Sequence, residues 1–191
     1  MFDTYYTTYK QQFTKTIDEL DFTVVTALME ALEGARRENR QVFIIGNGGS
    51  ASSASHWACD FGKGVNVDGV KRFRVNSLTD NVAWMSALGN DISYVDIFVE
   101  PLKNLLQQGD VVVGLSVSGD SENVVRAFKY AKEIGAKVLT IVGAKEGRMK
   151  QLADIALVVP SKDYGIVEDA HMFVNHVISQ YLRGQYLQES R

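Results

Sequence analysis

The side chains that could move a proton fall in two stretches of this 191-residue chain. His56 precedes Asp60 by four residues, so the two share one face if the segment is helical. Glu168 precedes His171 by three residues and His176 by eight, close enough to one helix face for both ends to lean toward a common point. Histidines and carboxylates on two helices can form an acid–base pair or a metal site. The alternative is that each histidine is solvated or packed in the core.

Two loops have the composition of a phosphate-binding site. The segment Gly46–Ala51 has three glycines after an apolar run, and the helix that follows offers free N–H groups to an anion. The segment Ser116–Asn123 has three hydroxyls around Gly119, and Ser121 is a good helix N-cap. Neither loop has the lysine of a P-loop or dinucleotide glycine spacing, which favours a sugar phosphate and predicts no nucleotide cofactor. The alternative is two tight turns, the first capped by Ser50.

Short apolar runs predict the strands that position these loops. Four strong runs are apolar on both faces, as buried parallel strands are, and Phe73–Val75 is a weaker fifth candidate. The strong runs are Val42–Ile45, Val111–Val113, Val138–Val142 and Ile155–Val159. Helical periodicity covers about 50–62, 80–88, 94–107, 121–134, 146–153 and 166–187. The alternation predicts an α/β fold with a doubly wound sheet, in which ligands bind at the carboxyl ends of the strands.

The first 36 residues predict a helical extension. Apolar and aromatic side chains recur at intervals of three and four from Phe2 to Leu32, and the polar segment 14–19 predicts a break into two helices. An exposed apolar stripe usually marks a partner, so one interpretation is an oligomer interface. The other is packing on the chain's own domain.

Composition narrows the function classes. A net charge of −3 without Lys/Arg blocks argues against a nucleic-acid surface. No apolar run reaches the length of about 18 residues that a membrane span needs. One cysteine excludes an intramolecular disulfide, and the first residues lack the pattern of a secretory signal, so we expect a cytoplasmic protein.

Five motifs, in this order along the chain, resemble the phosphoheptose isomerases, a branch of the sugar isomerase (SIS) domain proteins. The motifs are Gly46–Ser50, His56–Asp60, Ala87–Asp91, Ser116–Ser121 and Val167–His171 with His176. The resemblance runs from about residue 40 to residue 182. It implies a flavodoxin-like, five-stranded parallel sheet in a single SIS domain over residues 1–191, with residues 1–36 used in oligomerisation. It also implies a homotetramer with active sites shared between subunits.

The resemblance further implies an aldose–ketose isomerase. Its reaction would convert sedoheptulose 7-phosphate to a D-glycero-D-manno-heptose 7-phosphate by proton transfer through an enediol. The alternative is a non-catalytic SIS module, either a sugar-phosphate sensor or a partner protein of the bacterial replication initiator DnaA. A sensor needs the serines but no acid–base set, so the ionisable side chains of Asp60, Glu168 and His176 favour the enzyme.

The site residues that the resemblance implies form three groups. Asp60 and His176 are the base and the acid, and Glu168 is the alternative base. The substrate-binding positions are Asn47, Gly48, Gly49, Ser50, Asp91, Ser116, Val117, Ser118 and Ser121. In some members one zinc ion per subunit is held by the residues that match His56, Asp60, Glu168 and His176. Asp60 stands where the family usually has glutamate, and Glu168 stands where it usually has glutamine.

Overall fold

The computed structural model describes residues 1–190, in which a five-stranded sheet lies between two layers of helices. The strands are β1 (Gln41–Gly46), β2 (Arg74–Ser77), β3 (Val111–Ser116), β4 (Lys137–Gly143) and β5 (Ile155–Val159). The helices are α1 (Phe2–Asp18), α2 (Phe22–Arg37), α3 (Gly49–Cys59), α4 (Val82–Asp91), α5 (Val99–Leu105), α6 (Glu122–Ile134), α7 (Gly147–Leu152) and α8 (Tyr164–Glu189). Within residues 1–190, no helix combines the length and apolar character needed to cross a membrane.

All four strand pairs are parallel, and the strand order is β2-β1-β3-β4-β5. The chain leaves β1 toward one edge of the sheet and leaves β3 toward the other, so the topological switch point lies between these two strands. Gly46 of β1 pairs with Leu115 of β3, and the loops that follow both strands therefore start side by side. The expected doubly wound, five-stranded parallel sheet is confirmed.

Alternate residues along the strands pack into two separate hydrophobic cores, one on each face of the sheet. Val42 and Ile44 of β1 face a core shared with α2, α3 and α8. Phe43 and Ile45 face the opposite core, against which α4, α5, α6 and α7 pack. All four side chains are at most 1% exposed, as expected for strands buried on both faces. Helices α3 and α8 thus lie on the same side of the sheet.

Two predicted helices end differently from the sequence pattern. The helix expected over 50–62 is α-helical only as far as Cys59. A π-helical turn, Asp60–Gly64, follows it directly. The helix expected over 94–107 is divided into a 3₁₀ turn, Tyr94–Asp96, and α5. Pro101 accounts for the second difference. It lies in the first turn of α5, where no intrahelical donor is needed, whereas it would interrupt a helix that started at Tyr94.

The N-terminal segment forms two helices, as predicted. Asp21 separates them and caps α2, because its side chain accepts hydrogen bonds from the N–H groups of Thr23 and Val24. Along α1 only Thr16 is buried. The hydroxyl of Tyr9 donates to Asp169 Oδ2 at 2.6 Å, which ties α1 to α8.

Candidate active site

The glycine loop leaves the first turn of α3 without a side-chain cap. Gly48 is the N-cap residue and has φ +57°, a conformation that favours glycine. The alternative of a Ser50 cap is wrong, because Ser50 is the second residue of α3 and is 4% exposed. The uncapped N–H groups and the helix dipole therefore favour an anion at this helix start.

The serine loop is held by hydrogen bonds from its own backbone. Ser116 Oγ accepts from the Gly119 N–H at 3.1 Å, and Ser118 Oγ accepts from the Asp120 N–H at 3.3 Å. Ser121 occupies the N-cap position of α6, but its side chain makes no capping bond, contrary to the expected cap. The start of α6 therefore also keeps uncapped N–H groups. We call the two loops, Gly46–Ser50 and Ser116–Ser121, the loop end of the site.

Two asparagines join these loops at the switch point. Asn47 and Asn123 exchange two side-chain hydrogen bonds of 2.9 Å each. The hydroxyl of Tyr94 donates to Asn47 Oδ1 at 3.0 Å and ties a third segment to the pair. Asn123, which is 2% exposed, was not among the site residues expected from the sequence. Its only sequence signal is a polar residue in the first turn after the serine loop.

The side chains of two expected substrate-binding residues, Asp91 and Val117, do not join the hydrogen bonds of the loop end. Asp91 ends α4 at the surface, where its carboxylate accepts from the Asn90 amide at 2.7 Å. Within residues 1–190, Asp91 makes no hydrogen bond to the loop end. The Val117 side chain is 7% exposed and packs in the core with α3 and α8. Its backbone, rather than its side chain, is thus the part of Val117 available to a ligand.

Three of the expected ionisable residues converge between α3 and α8. His56 Nε2 lies 3.4 Å from Asp60 Oδ2, and His176 Nε2 lies 3.6 Å from the same oxygen. The two Nε2 atoms are 3.3 Å apart although the residues are 120 positions apart in the chain. The rings of His56 and His176 are about half exposed, while the Asp60 side chain is 24% exposed. We call His56, Asp60 and His176 the triad.

The triad has the geometry of three corners of a tetrahedral metal site. Its ligand atoms lie within 4.8 Å of one another. Zinc–nitrogen bonds of about 2.0–2.1 Å place the ligands of a tetrahedral ion about 3.3 Å apart, close to the spacing of the triad. Two imidazoles and one carboxylate, with a fourth corner open, are also a donor set typical of catalytic zinc. The residues present therefore fit such an ion.

Glu168 lies outside this group. It precedes His176 by eight residues, about 12 Å along α8. Its carboxylate contacts Gly49 so closely that a side chain at residue 49 would collide with it. Burial raises the pKa of Glu168, and the neighbouring Asp169 charge adds to the increase. The structure thus places Glu168 at the start of α3, beside the loop end.

Two further residues of α8 face the interior. The ring of His171 is fully buried, and burial lowers its pKa to about 4, although the backbone of Ile141 partly opposes the shift. His171 therefore does not join the triad, although its carbonyl accepts from Trp57 Nε1 at 3.0 Å. Asn175 donates to Asp60 Oδ2 at 2.5 Å. Asn175 was not among the site residues expected from the sequence, where its only signal is a polar residue within an apolar helix face.

Comparison with known proteins identifies the family. Residues 4–143 match the SIS domain family. The chain is 34% identical over 174 residues to a phosphoheptose isomerase of Nitratiruptor sp., which covers 89% of this chain and 90% of the relative. It is 36% identical over 154 residues to that of Clostridium acetobutylicum, covering 81% and 78%. The phosphoheptose isomerase GmhA of Neisseria gonorrhoeae has the same fold, with a TM-score of 0.88, 23% identity and coverage of 96% and 100%. The chain belongs to the SIS domain family and, within it, to the phosphoheptose isomerases.

Proposed function

We propose that this chain is an aldose–ketose isomerase that converts sedoheptulose 7-phosphate to D-glycero-D-manno-heptose 7-phosphate. The observation that carries the proposal is the placement of Asp60 3.6 Å from His176, next to two helices, α3 and α8, whose other ends meet at the glycine loop. A carboxylate and an imidazole at this distance can act as a base and an acid on one substrate. The relatives reported above are named for the same reaction class.

The reaction requires one proton to move between two carbons. Asp60 removes a proton from C1 of the ketose, and His176 donates a proton to the carbonyl oxygen at C2, which gives the 1,2-enediol. Return of a proton to C2 and loss of the proton on the C1 oxygen then give the aldose. Glu168, the alternative base expected from the sequence, has its carboxylate at the start of α3, about 12 Å along α8 from His176, so this scheme uses Asp60. Each step conserves protons and electrons, so no redox cofactor enters the scheme.

The loop end is proposed to hold the phosphate and the adjacent sugar chain. Hydroxyls of the serine loop and the uncapped starts of α3 and α6 offer hydrogen-bond donors to a dianion. The substrate contacts come from Asn47, Gly48, Gly49, Ser50, Asp91, Ser116, Val117, Ser118 and Ser121. The internal hydrogen bonds of the loop end support this assignment, because they hold the donors in place before the ligand arrives.

The triad is proposed to hold one zinc ion per subunit. His56, Asp60 and His176 are the ligands that this chain supplies, and the separations of 3.3–3.6 Å among their atoms support the assignment. When bound, zinc would supply a Lewis acid that polarises a sugar oxygen, and Asp60 and His176 would then be its ligands. The acid–base scheme above applies to the chain without zinc, in which Asp60 and His176 are free to exchange protons. The expected fourth ligand, Glu168, lies outside the triad and is assigned to the loop end.

A homotetramer with shared active sites is the proposed assembly. Helix α1 carries an exposed aromatic stripe, since Phe2, Tyr5 and Tyr6 are 60–76% exposed. Such an apolar patch is unusual on a monomer and marks an interaction surface. On α8, Phe173 and Val177 are exposed beside His176, so a second subunit packed there would also cover the half-exposed triad. Light scattering at micromolar concentration should give the mass of four chains, and a monomer would contradict both the interface and the shared site. We place the enzyme in the cytoplasm, where the exposed free thiol of Cys59 stays reduced.

Turnover of sedoheptulose 7-phosphate, followed by proton NMR, tests the proposed function. We expect the aldose signals to grow and, in D₂O, deuterium to enter at the carbon that receives the proton. The non-catalytic sensor is not favoured, because a sensor has no use for an acid and a base aimed at one point. Binding of the sugar phosphate without any turnover would instead support the sensor.

A further inference from the structure

We propose that Asn175 is a positioning residue that fixes the carboxylate of Asp60 between the two histidines of the triad, an inference that rests on the proposed isomerase function. Its side-chain amide donates to Asp60 Oδ2 at 2.5 Å. The same oxygen is the one that lies 3.4 Å from His56 and 3.6 Å from His176. The bond therefore acts on the atom at the centre of the site.

The position of Asn175 is costly for a residue that only packs. Its side chain is fully buried, next to Val174 and one turn before Ile178 in the apolar core. Within residues 1–190, its Oδ1 atom has no hydrogen-bond partner. A buried amide with one unpaired atom is destabilising, and a leucine would suit the same surroundings better. The hydrogen bond to Asp60 is the one polar contact that accounts for asparagine here.

Asp60 needs an external restraint because of the local backbone. It is the first residue of the π-helical turn, whose wider ring is closed by the hydrogen bond from the Val65 N–H to the Asp60 carbonyl. The Asp60 side chain leaves the helix where α3 loses its regular geometry, and π turns are frequent at functional sites. The Asn175 amide approaches from the core and holds the carboxylate from the side opposite to solvent.

The same segment of α8 sets both reacting groups. Asn175 and His176 are neighbours, so their side chains leave the helix about 100° apart. Asn175 points into the core and reaches Asp60, while His176 is 46% exposed and faces the site. A single turn of α8 therefore fixes the acid directly and the base through one hydrogen bond.

The variant Asn175→Leu tests the proposal, because it replaces the hydrogen-bond donor with an apolar side chain of similar size. A small misplacement of a reacting group costs up to about a hundredfold in rate, so we expect kcat to fall ten- to a hundredfold. KM for sedoheptulose 7-phosphate should stay unchanged, because the loop end is untouched. The resistance to thermal unfolding should be equal or higher. If Asn175→Leu does not fold, Asn175→Ala is measured in the same way.

His171→Leu is the matched control. It changes a buried polar residue one turn earlier on the same face of α8 and makes no contact with Asp60 through its ring. We expect its kcat to stay within twofold of the parent chain. A fall in kcat equal to that of Asn175→Leu would mean that any change in this helix face disturbs the site, and would overturn the specific role of Asn175.

A spectroscopic readout separates this proposal from the proposed function. Ring ¹⁵N signals of His56 and His176, recorded at one pH without substrate, should shift in Asn175→Leu but not in His171→Leu. If the parent chain shows no turnover but the ring ¹⁵N signals still shift in Asn175→Leu, the positioning role of Asn175 stands and the isomerase assignment is overturned. Unshifted rings with unchanged kcat, or lower stability with unchanged kcat, would show a purely structural asparagine.

Discussion

At the loop end, several polar side chains are already held by hydrogen bonds within the chain. Asn47 and Asn123 bind each other through two hydrogen bonds, and Ser116 holds the N–H of Gly119. In the triad, the ring nitrogens of His56 and His176 also lie within hydrogen-bond distance of each other, at 3.3 Å, but both rings are about half exposed, so a substrate can replace that contact. A binding surface gains affinity from donors fixed in advance, whereas reacting groups need free lone pairs. The contrast supports the proposed division, in which the loop end provides affinity and the triad provides rate.

The largest effect should come from Asp60→Asn. Asparagine keeps the shape of the side chain but cannot accept the substrate proton, so kcat should fall by about 10²–10⁴. KM should change only a few-fold, because the loop end keeps its contacts. Steady-state kinetics measure both constants, with Asp68→Asn at an exposed position as the control. A large rise in KM with kcat preserved would move the binding role to the triad and reverse the contrast.

The opposite result should come from replacing Ser116, Ser118 and Ser121 with alanine together. Hydrogen bonds to a charged group contribute roughly 1.5–3 kcal/mol each, and about 1.4 kcal/mol is a tenfold change. Substrate affinity should therefore fall at least about a hundredfold in a chain that still folds. Calorimetric titration with the sugar phosphate measures the loss. Unchanged affinity would remove the phosphate from the serine loop.

Acid should lower the stability of the fold through His171. Its pKa is about 4 in the folded chain, below the usual 6.5, because the ring is buried. As the pH falls below 6.5, the unfolded chain gains a proton that the folded chain does not take until about pH 4, and about 3 kcal/mol of stability is lost across this range. Urea unfolding at several pH values should show this slope, and His171→Leu should flatten it. Equal slopes in both chains would mean that His171 is not buried as a neutral ring.

Zinc binding should distinguish the triad from the loop end, because only the triad is proposed to hold the metal. His56→Ala removes one corner of the triad, so added zinc should no longer raise the temperature of thermal unfolding. Glu168→Gln should keep the zinc effect within a few-fold of the parent chain, because Glu168 lies at the loop end. A loss of zinc binding in Glu168→Gln comparable to that in His56→Ala would place Glu168 in the metal site.

The smallest effect should come from Arg148→Ala. Arg148 binds the carboxylates of Asp120 and Glu122 beside the serine loop, but all three side chains are largely exposed. Surface ion pairs of this kind change an equilibrium up to about fivefold. We expect KM to rise by that amount and the rise to shrink in high salt. An increase beyond tenfold would make Arg148 a direct phosphate ligand.

The sheet could be predicted from sequence because its signals are local. Each strong apolar run forms a strand in the structure. Strands that are buried on both faces are apolar at every position, so the run itself identifies them in the sequence. The edge strand β2 was the weak case. It pairs only with β1, and Arg74 and Asn76 are exposed, so its pattern is short and partly polar. The N-terminal helices were predictable for the same reason as the strong strands.

The site was predictable in unequal parts. The loop end lies in two short segments, where residue type and the end of a strand are enough to suggest phosphate. The triad depends on how α3 packs against α8, which spacing within one helix does not determine. That is why Glu168, expected near His176, lies instead against Gly49. Asn175 was missed because one asparagine on an apolar helix face resembles a packing residue until its partner is known.

The pairing of β1 with β3 also sets the order in which the site is assembled. Val42 pairs with Val111, 69 residues further along the chain, and no hairpin connects the two strands. Closing so long a loop is entropically unfavourable, and sheets built from distant pairs form slowly. A growing chain that ends after β5 contains both loops of the switch point but not yet His176 or Asn175. The docking of α8 is therefore the step that brings His176 and Asn175 to Asp60.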